Sequence, residues 1–558
     1  MLRRHVLCGM TASALLISGC SSSKAASDLD SENAATAVST TTVRDATAPD
    51  AAACDQGVTG DLGAASAVDG VASDWTITSF DGTDIRAHWF PTTNVGADGA
   101  PTVLMGPGWS LAGETSMEGS PIFGSLGIGR LLEEGYNVLT WDPRGFGVSG
   151  GTVNIDSAEF EGRDVQVLLD WVSAQGGVQL DREGDPRVGM IGASYGGGIQ
   201  LVTAAIDCRV DAIVPNMAWN SLTTSLYRNE TFKSGWAGQL TGFAATAALD
   251  PHILSAAEAG ETSGRLSDED RAWFADRGPA DLVADVSVPT LLLGGTVDTL
   301  FTLDETIANF ELLDEAGTTV SMLWYCGGHG VCLTTPNPDL TWMADATVDW
   351  LNRWVKGDES IDVGDRVTVV DQHGNRYAAD DYPTAAEHQL RGNLAGGSVD
   401  LALQPTTHDP VAAPQGDILG GIVTGITPSR AHRAIEVEVR ADSDTLIVGA
   451  PTVTMTYRGT AGEGTGPTRV FAQLFDPASR TVVGGQVTPI PVTLDGAEQT
   501  VEIALESVAH LLGAGDPLLL QIIATTPAYA TPQLGGNVTV SSLEVAVPVP
   551  DAFAARPL

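Results

Sequence analysis

The stretch Gly192-Ala193-Ser194-Tyr195-Gly196 constrains this chain more than any other, because of its flanks. Upstream, Arg187-Val188-Gly189-Met190-Ile191 reads as a short buried strand. Downstream, Gly197 to Ala205 reads as the start of a helix. A serine between strand and helix, with a glycine two residues to either side, predicts a turn too tight for bulky neighbours. Such a turn lifts the Ser194 hydroxyl above the end of a sheet. It also sets the hydroxyl at a helix N-terminus, where partial positive charge favours a developing anion. The bare pattern is common by chance, so its meaning depends on what surrounds it.

The surroundings alternate strands with helices. Thr102–Met105, Asn137–Trp141, Val210–Pro215, Thr290–Gly294 and Val320–Tyr325 read as short, largely apolar strands, the last of these closing the series. Helical stretches are expected over Ile128–Glu134, from about Ser157 to Trp171, and around Trp342–Trp354. Apolar strands alternating with helices predict a parallel sheet covered on both faces. An antiparallel hairpin should precede it, with Trp75–Phe80 and Ile85–Phe90 turning at Asp81-Gly82. Between residues 216 and 284 the strand rhythm stops, and a helical cap over the serine is expected there. After about residue 363 the pattern becomes period two, at Glu436–Val439, Thr452–Tyr457, Val470–Phe475, Thr500–Ile503 and Val538–Ser541. That predicts a β-sandwich over 363–558, following a catalytic α/β unit over 71–362.

The chain of 558 residues opens on Met1-Leu2-Arg3-Arg4 and an apolar run ending Leu16-Ile17-Ser18-Gly19-Cys20. This reads as a secretory signal over 1–20, too short for a spanning helix. Ile17-Ser18-Gly19-Cys20 resembles a bacterial lipobox, with Cys20 the lipidated residue; an ordinary signal with an incidental cysteine is the alternative. Residues 21–70, poor in aromatics and rich in Ala, Ser, Thr and Asp, read as a disordered tether. The expected location is the outer side of a bacterial membrane, held by the lipid anchor alone, or free secretion.

A net charge of −42 argues against nucleic acid and anionic lipid as partners. Lysine is almost absent, at Lys24, Lys233 and Lys356 alone. Cys326 and Cys332 flank Gly327-Gly328-His329-Gly330-Val331 and form a candidate disulfide. Cys54 and Cys208 pair only by elimination, and a free buried Cys208 thiol is the alternative. No Cys/His spacing matches a metal site, and neither metal nor cofactor is expected.

A serine hydroxyl needs a base to become a nucleophile. Within the α/β unit the histidines are His88, His252 and His329. His88 precedes the serine on a strand expected at the sheet edge, and His252 falls in the expected cap. His329 follows the Val320–Tyr325 strand between glycines, where a loop would swing it over Ser194, so it is the candidate base. The acid should follow the preceding strand, where Gly294-Gly295-Thr296-Val297-Asp298 places Asp298; Asp304 is the fallback. Asp142 precedes the serine and is expected to order its own loop. Two N–H donors should hold the oxyanion: that of Tyr195 and one from the loop after Met105, at Gly108 or Trp109. The Gly106-Pro107-Gly108 run read as a turn alone is the alternative.

Together these residues resemble the Xaa-Pro dipeptidyl-peptidase and cocaine esterase family of serine hydrolases. The resemblance rests on Asp-x-Arg-Gly-x-Gly-x-Ser-x-Gly at Asp142–Gly151, the Gly-x-Ser-Tyr-Gly-Gly turn at Gly192–Gly197, Asp298 and His329. It implies an α/β-hydrolase fold with a helical cap and a C-terminal jelly-roll-like sandwich. Members commonly carry a tyrosine in the early loop whose hydroxyl serves the oxyanion. Here Trp109 stands in that loop, which weakens any transfer of proline specificity. The expected partner is a small ester, amide or peptide, with oligomeric state open. The rival expectation is an inactive surface protein whose sandwich recognises carbohydrate or peptide.

Overall fold

Strands buried on both faces organise the molecule. In the computed structural model, which describes residues 70–118, 126–335, 340–382, 388–402, 423–462, 468–529 and 535–556, Asn137–Trp141, Thr290–Gly295 and Val320–Tyr325 are buried along their whole length. Runs this apolar need cover on both faces, and helices supply it. Glu161–Ser173, Tyr195–Ile206 and Leu303–Ala316 pack on one face around Leu168, Ile199 and Phe310. Ile128–Glu133 and Thr341–Trp354 pack on the other around Leu131 and Leu351.

Among the described residues this main sheet has eleven strands. Their spatial order is Ser73–Thr78, Asp84–Phe90, Asn137–Trp141, Thr102–Gly106, Val188–Ala193, Val210–Asn216, Thr290–Gly295, Val320–Tyr325, Val367–Val370, Arg376–Ala379, Ala554–Arg556. Pairing is parallel from Asn137–Trp141 through Val367–Val370 and antiparallel at both margins. From Thr102–Gly106 the chain first steps to one side, then crosses to Val188–Ala193 on the other. A reversal of this kind opens a crevice at the carboxyl ends of the two central strands. Ser194 follows one of those ends directly.

Three expectations change here. Val320–Tyr325 does not close the sheet, because Val367–Val370 pairs parallel with it and Arg376–Ala379 follows antiparallel. The unit therefore runs past residue 362, and the near-terminal strand Ala554–Arg556 returns to its edge. These strands are too short for periodicity to reveal, and pairing across the fold decides them. Nor is His88 on the edge: Ser73–Thr78 lies outside its strand.

Between Val210–Asn216 and Thr290–Gly295 the chain forms the helices Leu222–Leu226, Ser234–Phe243, Pro251–Ser263 and Asp268–Ala275. Local signals set their ends. The Ser221 and Ser267 hydroxyls accept from Thr223 N and Asp270 N, and Asp250 with Pro251 starts the third helix. Further on, two antiparallel sheets share a core of Val437, Val453, Met455, Leu474, Leu520 and Val545. Ile435–Arg440 alternates strictly between buried and exposed. Thr468–Asp476 is buried throughout, because its second face also lies under other segments. Arg469 there donates to the Gly264 carbonyl at 3.1 Å, joining the sandwich to the helical insertion. All described residues fall within one compact unit. The expected signal, Cys20 and nearly all of the tether lie outside the described residues.

Candidate active site

Ser194 sits where the strand Val188–Ala193 breaks into the helix Tyr195–Ile206, at φ 59° and ψ −117°. A non-glycine residue held there carries backbone strain, which the packing around it must outweigh. The close approach that packing requires is visible at Gly196, where any Cβ would run into the Gly106 carbonyl of the neighbouring strand. Tyr195 N–H is the first of its helix, so it has no carbonyl within the helix to donate to. The Ser194 residue is buried, 6% exposed.

The structure brings His329 and Asp298 to it. His329 Nε2 lies 2.8 Å from Ser194 Oγ, and His329 Nδ1 lies 2.6 Å from Asp298 Oδ2. The same Oδ2 accepts the His329 backbone N–H at 3.0 Å, while Oδ1 accepts from Leu300 N and Phe301 N at 2.9 and 2.8 Å. Asp298 is wholly buried. A carboxylate so fully hydrogen-bonded has little freedom to turn away from the imidazole. Gly328, at φ +107°, lets the loop pass close over Asp298, since a Cβ there would come within 2.6 Å of Asp298 Cβ. The Cys326–Cys332 disulfide closes the same loop. Phe301 and Trp236 meet the imidazole edge-on, with ring centroids 5.1 and 5.8 Å away.

The other sequence candidates go elsewhere. His252 pairs with Asp270 at 2.9 Å and stacks on Trp273 within the helical insertion. Asp304 accepts from Arg228 and from Ser507 N. Asp142 orders its own loop, accepting from Val148 N and Gly113 N. It also lies 3.4 Å from His88, whose pKa it raises above the ordinary imidazole value, helped by Asp74 against the effect of burial. Cys208 is disulfide-bonded rather than free, while Cys54 lies outside the described residues. No group of three or more His, Cys, Asp or Glu suited to a metal occurs among the described residues.

Trp109 does not offer its indole to the crevice centre. Its Nε1 donates to the Leu240 carbonyl at 2.9 Å, and its ring stands edge-on to Phe146 and Tyr195. The early loop is thereby tied to the helical insertion. Gly106 remains in strand pairing, and Leu111 N donates to Gly108 O in a turn just beyond it. Behind the serine, burial pushes Glu161 up to about 7, although Asn154 N and Ser157 N donate to it. The Tyr195 hydroxyl donates to Glu161 at 3.4 Å. Sequence reading missed this buried carboxylate, because nothing in a helix of mixed composition marks which acid turns inward.

An apolar cavity opens over Ser194. Leu222, Leu226, Phe232, Leu240, Ile253 and Phe274 of the helical insertion form much of its wall, with Trp219 and Phe301 beside the serine. None of the described residues that line it carries a charge.

Residues 81–330 match the model of the X-Pro dipeptidyl-peptidase (S15) family. An uncharacterised protein of Pseudomonas aeruginosa is 28% identical over 140 residues, 25% of this chain and 34% of that protein. The chain thus spans about a third of the length of this curated relative. Among solved structures, an α-amino acid ester hydrolase superposes with a TM-score of 0.66 at 14% identity, covering 87% of this chain and 98% of its own. A CocE/NonD family hydrolase from Staphylococcus aureus gives 0.61 at 13% identity, covering 85% and 93%. At such identities these likenesses establish the fold: an α/β-hydrolase sheet with further C-terminal β-sheets.

Proposed function

We propose that this chain, whose residues 81–330 belong to the X-Pro dipeptidyl-peptidase (S15) family of serine hydrolases, cleaves uncharged esters or amides with an apolar acyl group. The observation that carries this is the continuous Ser194–His329–Asp298 contact, at 2.8 and 2.6 Å. His329 Nε2 takes the Ser194 proton as Oγ attacks the substrate carbonyl, and Asp298 holds the ring and stabilises the imidazolium. The oxyanion is received by Tyr195 N–H and by a backbone N–H of the loop at Gly108 or Trp109. His329 then returns the proton to the departing alcohol or amine, leaving an acyl-enzyme on Ser194. Water activated by the same base releases the acid.

The apolar cavity sets the choice among substrates. Removing an N-terminal dipeptide would bring a free α-ammonium to the site. Burying that charge among Leu, Ile, Phe and Trp without a counter-ion costs several kcal/mol. An uncharged acyl chain gains about 0.8 kcal/mol per buried methylene. The test is a fluorophosphonate probe followed by a panel of p-nitrophenyl esters of rising chain length beside an Ala-Pro anilide. Labelling of the wild type but not Ser194→Ala, with kcat/KM rising along the ester series, supports the reading. A preference for the anilide, or labelling that survives Ser194→Ala, refutes it.

Export with a lipid anchor on Cys20 completes the reading. It is supported by the basic N-terminus and the apolar run before Cys20, and by a Cys326–Cys332 disulfide suited to an oxidising compartment. No described helix is long and apolar enough to cross a membrane. Metabolic incorporation of a palmitate analogue should be lost in Cys20→Ala.

A further inference from the structure

The turn that carries Asp298 is held from outside the sheet. The Asp298 carbonyl accepts from Gln486 Nε2 at 2.7 Å, a side chain of the C-terminal sandwich. The Leu300 carbonyl accepts from Lys233 Nζ at 3.0 Å, a side chain of the helical insertion. Both donors are buried, at 7% and 2% exposure. Two further contacts close the same turn: Thr302 Oγ1 to Glu506 Oε2 at 3.1 Å, and Trp236 Nε1 to Thr299 Oγ1 at 3.0 Å.

Planarity of the peptide bond turns these contacts into control of the carboxylate. The Leu300 carbonyl and the Phe301 N–H belong to one peptide plane and point in opposite directions. Lys233 therefore aims the N–H that donates to Asp298 Oδ1 at 2.8 Å, and its charge polarises that donor. Gln486 fixes the peptide plane that leaves Asp298 itself. We propose that Gln486 and Lys233 are positioning residues for Asp298, one supplied by the sandwich and one by the helical insertion. This rests on the Ser194 mechanism above.

The chemistry of Lys233 favours a role beyond filling space. Burial pushes its pKa down, opposed by the carboxylates of Glu506, Glu305 and Asp298, with Arg228 adding to the fall. A well-packed apolar side chain there would avoid the desolvation of an ammonium altogether. The chain has three lysines, and this one is buried against the turn of the candidate acid.

The test uses the full chain with Gln486→Met, Lys233→Met and Lys233→Arg, read by p-nitrophenyl ester hydrolysis and thermal unfolding. Gln473→Leu is the control, since Gln473 is a buried sandwich residue bonded to Ser429 O and Gln521. A displacement of the acid by a fraction of an ångström should lower kcat about 10–100-fold with KM little changed. In Gln486→Met the low-pH limb of kcat/KM should also move to lower pH, because a carboxylate held less firmly stabilises the protonated base less. Lys233→Arg should restore most of kcat. Gln473→Leu should lower the unfolding midpoint and leave kcat and the limb in place. Folded Gln486→Met and Lys233→Met with kcat within twofold of wild type would overturn the proposal. So would a loss of kcat that follows the unfolding midpoint with the limb unmoved. Ser194→Ala in parallel separates the two claims: turnover surviving there removes the mechanism itself, whereas turnover lost there but kept in both Met variants removes only the positioning role.

Discussion

At Ser194 a strained backbone and a tight approach coexist in one residue. Its φ of 59° is tolerated because Gly196 lets the helix start against the Gly106 carbonyl. Ser194, Asp298 and His329 were legible in the chain because each follows a readable strand, and chain order places the ends of parallel strands along one edge. Glu161, just behind, was not legible. Its carboxyl is raised to about 7 by burial, so between about pH 4.5 and 7 the folded chain keeps a proton that the unfolded chain releases. Stability from this group therefore falls as pH rises through that window, on the order of 3 kcal/mol in all. Denaturant unfolding at pH 5 and pH 7.5 should show a smaller difference for Glu161→Gln than for wild type. An unchanged difference would remove Glu161 as its source.

Among the elements, the Cys326–Cys332 loop illustrates how a short segment is made rigid without secondary structure. The bridge spans a sequence separation of six residues, and the imidazole is carried between its ends. Closing so short a loop contributes about 2 kcal/mol through the unfolded chain. The double variant Cys326→Ser/Cys332→Ser should show a lower midpoint in scanning calorimetry and slower ester turnover. An unchanged midpoint would mean that packing alone holds the loop. The helical insertion was legible as an interruption of the strand rhythm. Its inward residues were not, because helices such as Pro251–Ser263 have small residues on both sides, and only burial in the apolar cluster that also holds Trp219 and Phe301 picks out Ile253 and Ala256. Thr468–Asp476 taught the converse: a strand expected to alternate is buried throughout once a second surface covers it.

Over the whole molecule, the main sheet does not stop where the composition changes. Val367–Val370 and Arg376–Ala379 extend it, and Ala554–Arg556, which follows the last sandwich strand in sequence, comes back to pair with Arg376–Ala379. A chain cut after residue 362 should therefore expose the Val320–Tyr325 strand as a bare apolar edge and aggregate, while the full chain stays in solution. Sedimentation of the two proteins checks this, and a monodisperse truncated form would refute it. The local features of this chain, its apolar runs, its Gly-x-Ser-x-Gly turn and the placement of Asp298 and His329 after successive strands, follow from interactions between near neighbours. They were readable for that reason. The extension of the sheet past residue 362 depends on partners far away in sequence, as do the burial of Glu161 and the hold of Gln486 and Lys233 on the Asp298 turn. No periodicity or propensity records which distant surfaces will meet, so packing in three dimensions alone settles them.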